Sequence, residues 1–320
     1  MKLLLTTPCL TSHGGIHNIL ELANQFAHRG HDVTVYDQSG NGRQTWYPIR
    51  CKVTDKLDYN YDRVIIGSPH AAPFISRFID AGAKVITWLQ MIEHWFRPTD
   101  IPFYEHSKKF YDGPNMISSA TWGLNVIGRQ DATVLPTGIN PEVFQYYKTD
   151  KDYKTVCLES PEPTNPVKDI DRKAIYAALH LKRLGYKIIG FGALPLKKDA
   201  KPVFDEYYIK PSVSLINSMY GRSSVLLKCT KYDFRSTAPL EAMTKGTVTV
   251  RAITQGDEDL TKENSVRMLY SVPSHEIALQ VQDLLNDRLR YAGLQDVCIA
   301  TAESLKWGNI FGQYEKHIIG

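Results

Sequence analysis

Apolar residues recur along this chain in two alternating rhythms, short β-branched runs of strand length and longer stretches with a 3.6-residue repeat, and the alternation predicts a parallel α/β architecture. Residues 2–6 read as a first strand, followed by the polar turn TTPCLTSHGG. A helix then runs over about 16–29, with Ile16, Ile19, Leu20, Ala23 and Ala27 on one face and Gly30 at its end. HDVTVYD is the next strand and DRVIIGS, residues 62–68, another. A helix over 70–81 carries Pro73 near its start, and a strand follows at 84–87. A strand over 115–118 and a helix over 119–128 complete the first half. In the second half DYKTVCLES is a strand, and residues 169–184 form a helix with Ile170, Ala174, Ala177, Ala178 and Leu181 on one face and Gly185 as its stop.

The clearest unit is SSVLLKCTKYDFRSTAPLEAMTKGTVTV, residues 223–250. It predicts a strand at 224–227, a helix at 238–245 and a strand at 247–250. Ser236 and Thr237 are N-cap candidates, Pro239 sits in the first turn and Gly246 ends the helix. Residues 195–211 are polar, aromatic and bounded by prolines, which predicts a loop. A helix over 273–285 and a last one in AESLKWGNIFGQYEKHI, with Leu305, Ile310, Phe311 and Tyr314 to bury, close the chain.

At 320 residues, with 43% hydrophobic and 22% charged, the chain has the length of two ordinary domains. The charged run KTDKDYK near residue 150 is the predicted boundary. No segment approaches the ~18–20 apolar residues that span a bilayer, and MKLLLTTPCL is interrupted too early for a secretion signal. Five scattered cysteines, without paired spacing, predict a reduced, cytoplasmic setting. Residues 1–150 hold 14 Lys+Arg and 14 Asp+Glu, whereas residues 151–320 hold 24 and 20. The net charge of +4 therefore lies in the second half, which suits a small anionic ligand better than a nucleic-acid or membrane footprint.

Candidate chemistry centres on Asp233, in the loop after a strand, and Glu241, in the first turns of the next helix. Ligands of parallel sheets bind beyond the carboxyl ends of the strands, where helix N-termini offer free N–H groups to phosphate. A carboxylate accepts two hydroxyl hydrogen bonds at once, as the paired hydroxyls of a ribose require, so the arrangement proposes a nucleotide-sugar site. Glu241 also reads as an ordinary first-turn acid favoured by the helix dipole, worth ~0.3–1 kcal/mol. Two Asp-x-Asp sequences, 169–171 and 257–259, read as capping and solvated acids, and no metal site is proposed. The Lys197, Lys198 and Lys201 group reads as a solvated loop. A dinucleotide G-x-G-x-x-G fingerprint is absent.

The stretch YDFRSTAPLEAM resembles the signature of retaining glycosyltransferases of family 4, Glu-Gly-Phe-Gly followed by Leu-Glu-Ala-Met. Asp233 falls on the first acid and Glu241 on the second, with Phe234 and Ser236 in place of the glycines. The pair Gly14 and Gly15, the helix after it and Gly-His-x-Val resemble the start of that family, although a plain tight turn would read the same. ATVLPTGINPEVF is similar to the passage that closes its first domain. His94, just past a strand end in WLQMIEHWFRP, matches a histidine that faces the donor sugar; beside two tryptophans it also reads as an aromatic-packed core residue. Lys168 matches the lysine that binds the diphosphate, while Glu159 and Ser160 stand where its arginine partner belongs. Arg235 or Arg172 would have to supply that second cation, with solvent exposure the alternative for Arg235.

The resemblance implies an α/β GT-B fold, two Rossmann-like domains facing across a cleft. Residues 1–150 would form an acceptor-side domain and 151–303 a nucleotide-sugar-binding domain, with a C-terminal helix over 304–320 crossing back to the first. It implies a retaining, metal-independent glycosyltransferase using a nucleotide-diphosphate sugar as donor substrate and no further cofactor. Asp233, His94 and Lys168 would be its catalytic residues. Glu241, Gly14, Gly15, Arg235, Ser236 and Thr237 would bind the donor. The acceptor stays open among a glycan, a lipid, a protein and a modified DNA base. A non-catalytic nucleotide-sugar binder and a sugar-nucleotide epimerase are the alternative readings.

Overall fold

A computed structural model describes residues 1–10, 14–40, 47–97, 99–159, 169, 171–256 and 258–320, and divides the chain into two compact units. The first consists of Met1–Gly138 together with Trp307–Gly320, the second of Ile139–Lys306.

Among the described residues the first unit has a seven-stranded sheet formed by β1 (Lys2–Thr7), β2 (Asp32–Asp37), β3 (Lys52–Thr54), β4 (Arg63–Ile66), β5 (Lys84–Leu89), β6 (Ile117–Ser118) and β7 (Thr133–Val134). Their order is β3-β2-β1-β4-β5-β6-β7, every pairing parallel. Parallel strands need crossovers, here α1 (Gly14–His28), a 3₁₀ turn at Pro69–Phe74 running into α2 (Ile75–Asp80), α3 (Ile101–Tyr111) and α4 (Thr121–Ile127). The helix expected over 70–81 thus splits, because Pro73 removes an amide from its first part.

Among the described residues the second unit has a six-stranded parallel sheet in the order β10-β9-β8-β11-β12-β13. Its strands are β8 (Asp152–Glu159), β9 (Lys187–Gly192), β10 (Glu206–Ile209), β11 (Ser223–Tyr232), β12 (Val248–Gln255) and β13 (Ser265–Leu269). Strand β10 lies in the stretch that reads as a polar loop; as an edge strand it needs no apolar face on both sides. The helices are α5 (Lys173–Arg183), α6 (Val213–Arg222), α7 (Thr237–Met243), α8 (Ser274–Asn286) and α9 (Arg288–Ser304). Helix α5 starts at Lys173 rather than 169. Asp169 stands before it, its two carboxylate oxygens accepting from the amides of Lys173 (2.8 Å) and Ala174 (2.7 Å). Strand β11 lies between β8 and β12, with Leu227 opposite both Leu158 and Val250, and residues 223–230 are all buried.

The chain leaves the second unit after α9 and enters the last helix, α10 (Trp307–Ile318), which belongs to the first unit. Its Phe311 packs edge-on against Phe26 of α1, and Arg63 of β4 donates to the carbonyl of Ile318. Trp307 lies so close to Gly138 that a Cβ there would sit 2.5 Å from the indole.

The division between units falls at Gly138, ahead of residue 150, because residues 139–151 are fastened to the second unit. Ile139 and Phe144 join its core, and the amide of Tyr147 donates to Thr244 O. The Lys245 ammonium lies over the Tyr147 ring at 3.9 Å. Lys151 Nζ donates to the carbonyls of Tyr220 (2.9 Å) and Gly221 (3.1 Å) and to Thr247 Oγ1 (2.7 Å). Burial, and then the charge of Lys245, pull the Lys151 ammonium down to about 7. Because the unfolded chain holds that proton up to ~10.4, protons favour unfolding between these values. Wild-type stability should therefore rise relative to K151M as pH increases from about 7 towards ~10. The described tryptophans, Trp88, Trp95, Trp122 and Trp307, lie in the first unit, so far-UV dichroism during urea unfolding is the suitable readout. A stability gap independent of pH would refute the lowered lysine.

Candidate functional site

In the second unit the two sequence-predicted acids lie on either side of the turn between β11 and α7. Asp233 follows β11 directly and is 3% exposed. Its Oδ1 accepts from the Phe234 amide at 3.0 Å, and its Oδ2 lies 3.5 Å from Lys228 Nζ. The same ammonium is 2.8 Å from Glu159 Oε2 at the end of β8. Glu241, on the buried side of α7, faces the Tyr220 hydroxyl across 3.5 Å. Burial, followed by the negative charge of Glu241, drives the Tyr220 phenol well above its ordinary range.

The loop between the two acids is held by contacts invisible in the motif. Arg235 has a left-handed backbone, φ +50°, where a glycine would be unstrained; the cost for a side chain is ~1–2 kcal/mol. Its guanidinium is clamped by Asp259, with Nε 2.6 Å from Oδ2 and Nη2 2.8 Å from Oδ1. Asp259, which reads in the sequence as a solvated acid, is thus a half-buried partner of Arg235. Ser236 stands at the N-cap of α7 without a capping hydrogen bond from its side chain, and Thr237 begins the helix. Gly256, just past β12, has φ +103°, and a Cβ on it would lie 1.7 Å from the carbonyl oxygen of Asp233.

Lys168 lies outside the described residues. Arg172, the other cation considered for the diphosphate, forms a 2.6 Å ion pair with Asp199. Both candidate arginines therefore face carboxylates. Lys228 went unrecognised in the sequence, where the one signal was a lysine interrupting the apolar run SSVLL-K-CT.

In the first unit, Gly14 and Gly15 open α1. A Cβ at Gly15 would only reach ordinary contact with Gln90, 3.6 Å away, so protein packing alone does not demand glycine there. Gln90 follows β5 and its Oε1 accepts from Asn18 Nδ2 at 3.1 Å. His94 lies in the 3₁₀ turn Glu93–Phe96 and pairs its Nδ1 with the Tyr111 hydroxyl at 3.0 Å. The rings of Trp95, Tyr104 and Tyr111 pack edge-on around it, and Trp95 tilts against Trp122 at 5.9 Å. Burial lowers the His94 pKa, favouring the neutral imidazole. Next to it, burial lifts the Glu93 carboxyl to about 7 against the opposing pull of Ser68 and Arg97.

Among the described residues no group of three metal-ligating side chains gathers, and no helix is long and apolar enough to cross a membrane.

No protein-family model and no curated protein matches the sequence. Solved structures do match over the full length. The chain is similar to sucrose-phosphate synthase of Thermosynechococcus elongatus, with a TM-score of 0.78 at 11% identity over 99% of each chain. It is similar to HepE of Anabaena in complex with UDP-glucose, with a TM-score of 0.76 at 14% identity over 99% of this chain and 98% of that one. An α-glucosyltransferase bound to UDP and a 13-mer DNA containing an HMU base matches at 0.68, with 11% identity over 100% of both. At these identities the likeness concerns architecture, and the architecture is the GT-B fold of glycosyltransferases.

Proposed function

We propose that the protein is a retaining glycosyltransferase that moves a sugar from a nucleotide-diphosphate donor to an acceptor hydroxyl. The observation that carries this reading is the ion-paired chain Glu159–Lys228–Asp233 at the carboxyl ends of β8 and β11, with Glu241 in the helix that follows, on a GT-B fold. Glu241 would accept hydrogen bonds from the ribose and Asp233 from hydroxyls of the donor sugar. As the glycosidic bond breaks, negative charge grows on the departing diphosphate. Lys168 and the amides around Ser236 and Thr237 would stabilise it as fixed donors that need no reorganisation. His94, Gly14 and Gly15 are assigned to sugar recognition in the first unit, and its neutral imidazole suits hydrogen bonding to a hydroxyl. UDP-glucose is the first donor to test, because HepE and the α-glucosyltransferase are seen with UDP-containing ligands. A glycan, a lipid, a protein or a modified DNA base would be the acceptor; DNA with a modified base has precedent in the α-glucosyltransferase complex.

A second reading, a nucleotide-sugar binder without turnover, is favoured by the engagement of Arg235 with Asp259 and of Arg172 with Asp199. Calorimetry with UDP-glucose, followed by proton NMR of the donor incubated with enzyme and water as acceptor, separates the two. Release of α-glucose is expected. Release of the β anomer would refute retention, binding without release would favour the second reading, and no binding to any nucleotide-diphosphate sugar would refute both.

A further inference from the structure

The second unit places a cation where the sequence motif has none. At the end of β8 an acid, Glu159, stands where the resemblance calls for an arginine, and the neighbouring strand answers it with Lys228. The parallel register sets Leu227 opposite Leu158, so the next residues, Lys228 and Glu159, emerge side by side. Lys228 is 8% exposed and Asp233 3%. Burying an ammonium between two carboxylates is a poor way to stabilise a strand, since well-packed apolar residues in place of a buried ion pair are often neutral or stabilising. The arrangement does, however, define a direction. The Asp233 carboxylate is gripped on one oxygen by the Phe234 amide and faced on the other by Lys228, while Glu159 holds that ammonium from the far side.

We propose that Lys228 is a positioning residue of the donor site: anchored by Glu159, it fixes the Asp233 carboxylate in the orientation that receives the donor sugar. This rests on the reading of the site given above. Lys228 need not touch the donor; its effect passes through Asp233.

A double-mutant cycle read by UDP-glucose calorimetry tests it, with K228M, D233N and the double variant measured alongside K228R. K228M is expected to weaken binding about tenfold, because it takes away the buried ammonium that faces the Asp233 carboxylate across 3.5 Å. K228R should recover most of the loss, and K228M should cost nothing further once Asp233 is already Asn. If K228M does not fold, E159Q replaces it, with a smaller loss that likewise disappears in the D233N background. Losses that simply add, or a K228M protein that binds like wild type, would overturn the positioning role while leaving the donor site standing. Wild-type protein that binds no nucleotide-diphosphate sugar would overturn the site itself and this role with it.

Discussion

Replacing Gly256 with alanine is expected to destabilise the second unit on the order of 3 kcal/mol and to abolish measurable UDP-glucose binding. The added Cβ would stand 1.7 Å from Asp233 O and 2.6 Å from its carbonyl carbon, and these are backbone atoms that no rotamer change moves aside. The φ of +103° adds strain for any side chain. Relief requires the Asp233 backbone to shift, which breaks the hydrogen bond from its amide to Gln255 O and carries the carboxylate away from Lys228. Gly293, in α9 with nothing within 4 Å of its Cβ position, is the matched control. Alanine there should stabilise by roughly 0.5–1 kcal/mol through helix propensity. Urea unfolding by far-UV dichroism and calorimetry read both. A G256A protein with wild-type stability and donor affinity would show that the packing of this loop on Asp233 is wrong.

The second large effect is expected at Glu241. In E241Q one acceptor oxygen and the side-chain shape remain, but the charge that strengthens hydrogen bonds to paired hydroxyls is lost. Affinity for UDP-glucose should fall by about ten- to 150-fold, the equivalent of roughly 1.5–3 kcal/mol. If Glu241 served only the helix dipole, the change would be ~0.3–1 kcal/mol in stability and nothing in binding. Y220F separates the remaining possibility. It removes the hydroxyl that faces Glu241 across 3.5 Å and, with that contact so long, should leave donor affinity within about threefold. An unchanged dissociation constant in E241Q would remove Glu241 from the donor site.

The two predictions differ in what announced them. Glu241 and Asp233 are visible in the sequence because a strand–turn–helix unit fixes their spacing locally. Gly256 is not, because its importance depends on β12 lying beside β11. The same distinction runs through the rest of the site. Arg235 in the sequence is a free cation available to a phosphate; in the fold it meets Asp259, 24 residues on. Lys228 reads as a flaw in an apolar strand, and its partner Glu159 lies 69 residues away in the sequence. The boundary between units follows similar logic. KTDKDYK has the composition of a linker, yet Thr149 donates to the carbonyl of Gly221 and Ile139 and Phe144 join the core of the second unit, so the division falls at Gly138. The last helical stretch is divided as well, α9 ending at Ser304 and α10 starting at Trp307 as the chain passes from one unit to the other.

What the sequence determined unaided is the alternation of strands and helices, the parallel sheets it demands, and the placement of two acids at a strand end and a helix start. These depend on periodicities of two and 3.6 residues and on turn chemistry, all of them local. Which charges meet was decided by the tertiary structure alone. An ion pair forms between residues that strand order and register bring side by side, and no local pattern records the order in which β8, β11 and β12 lie.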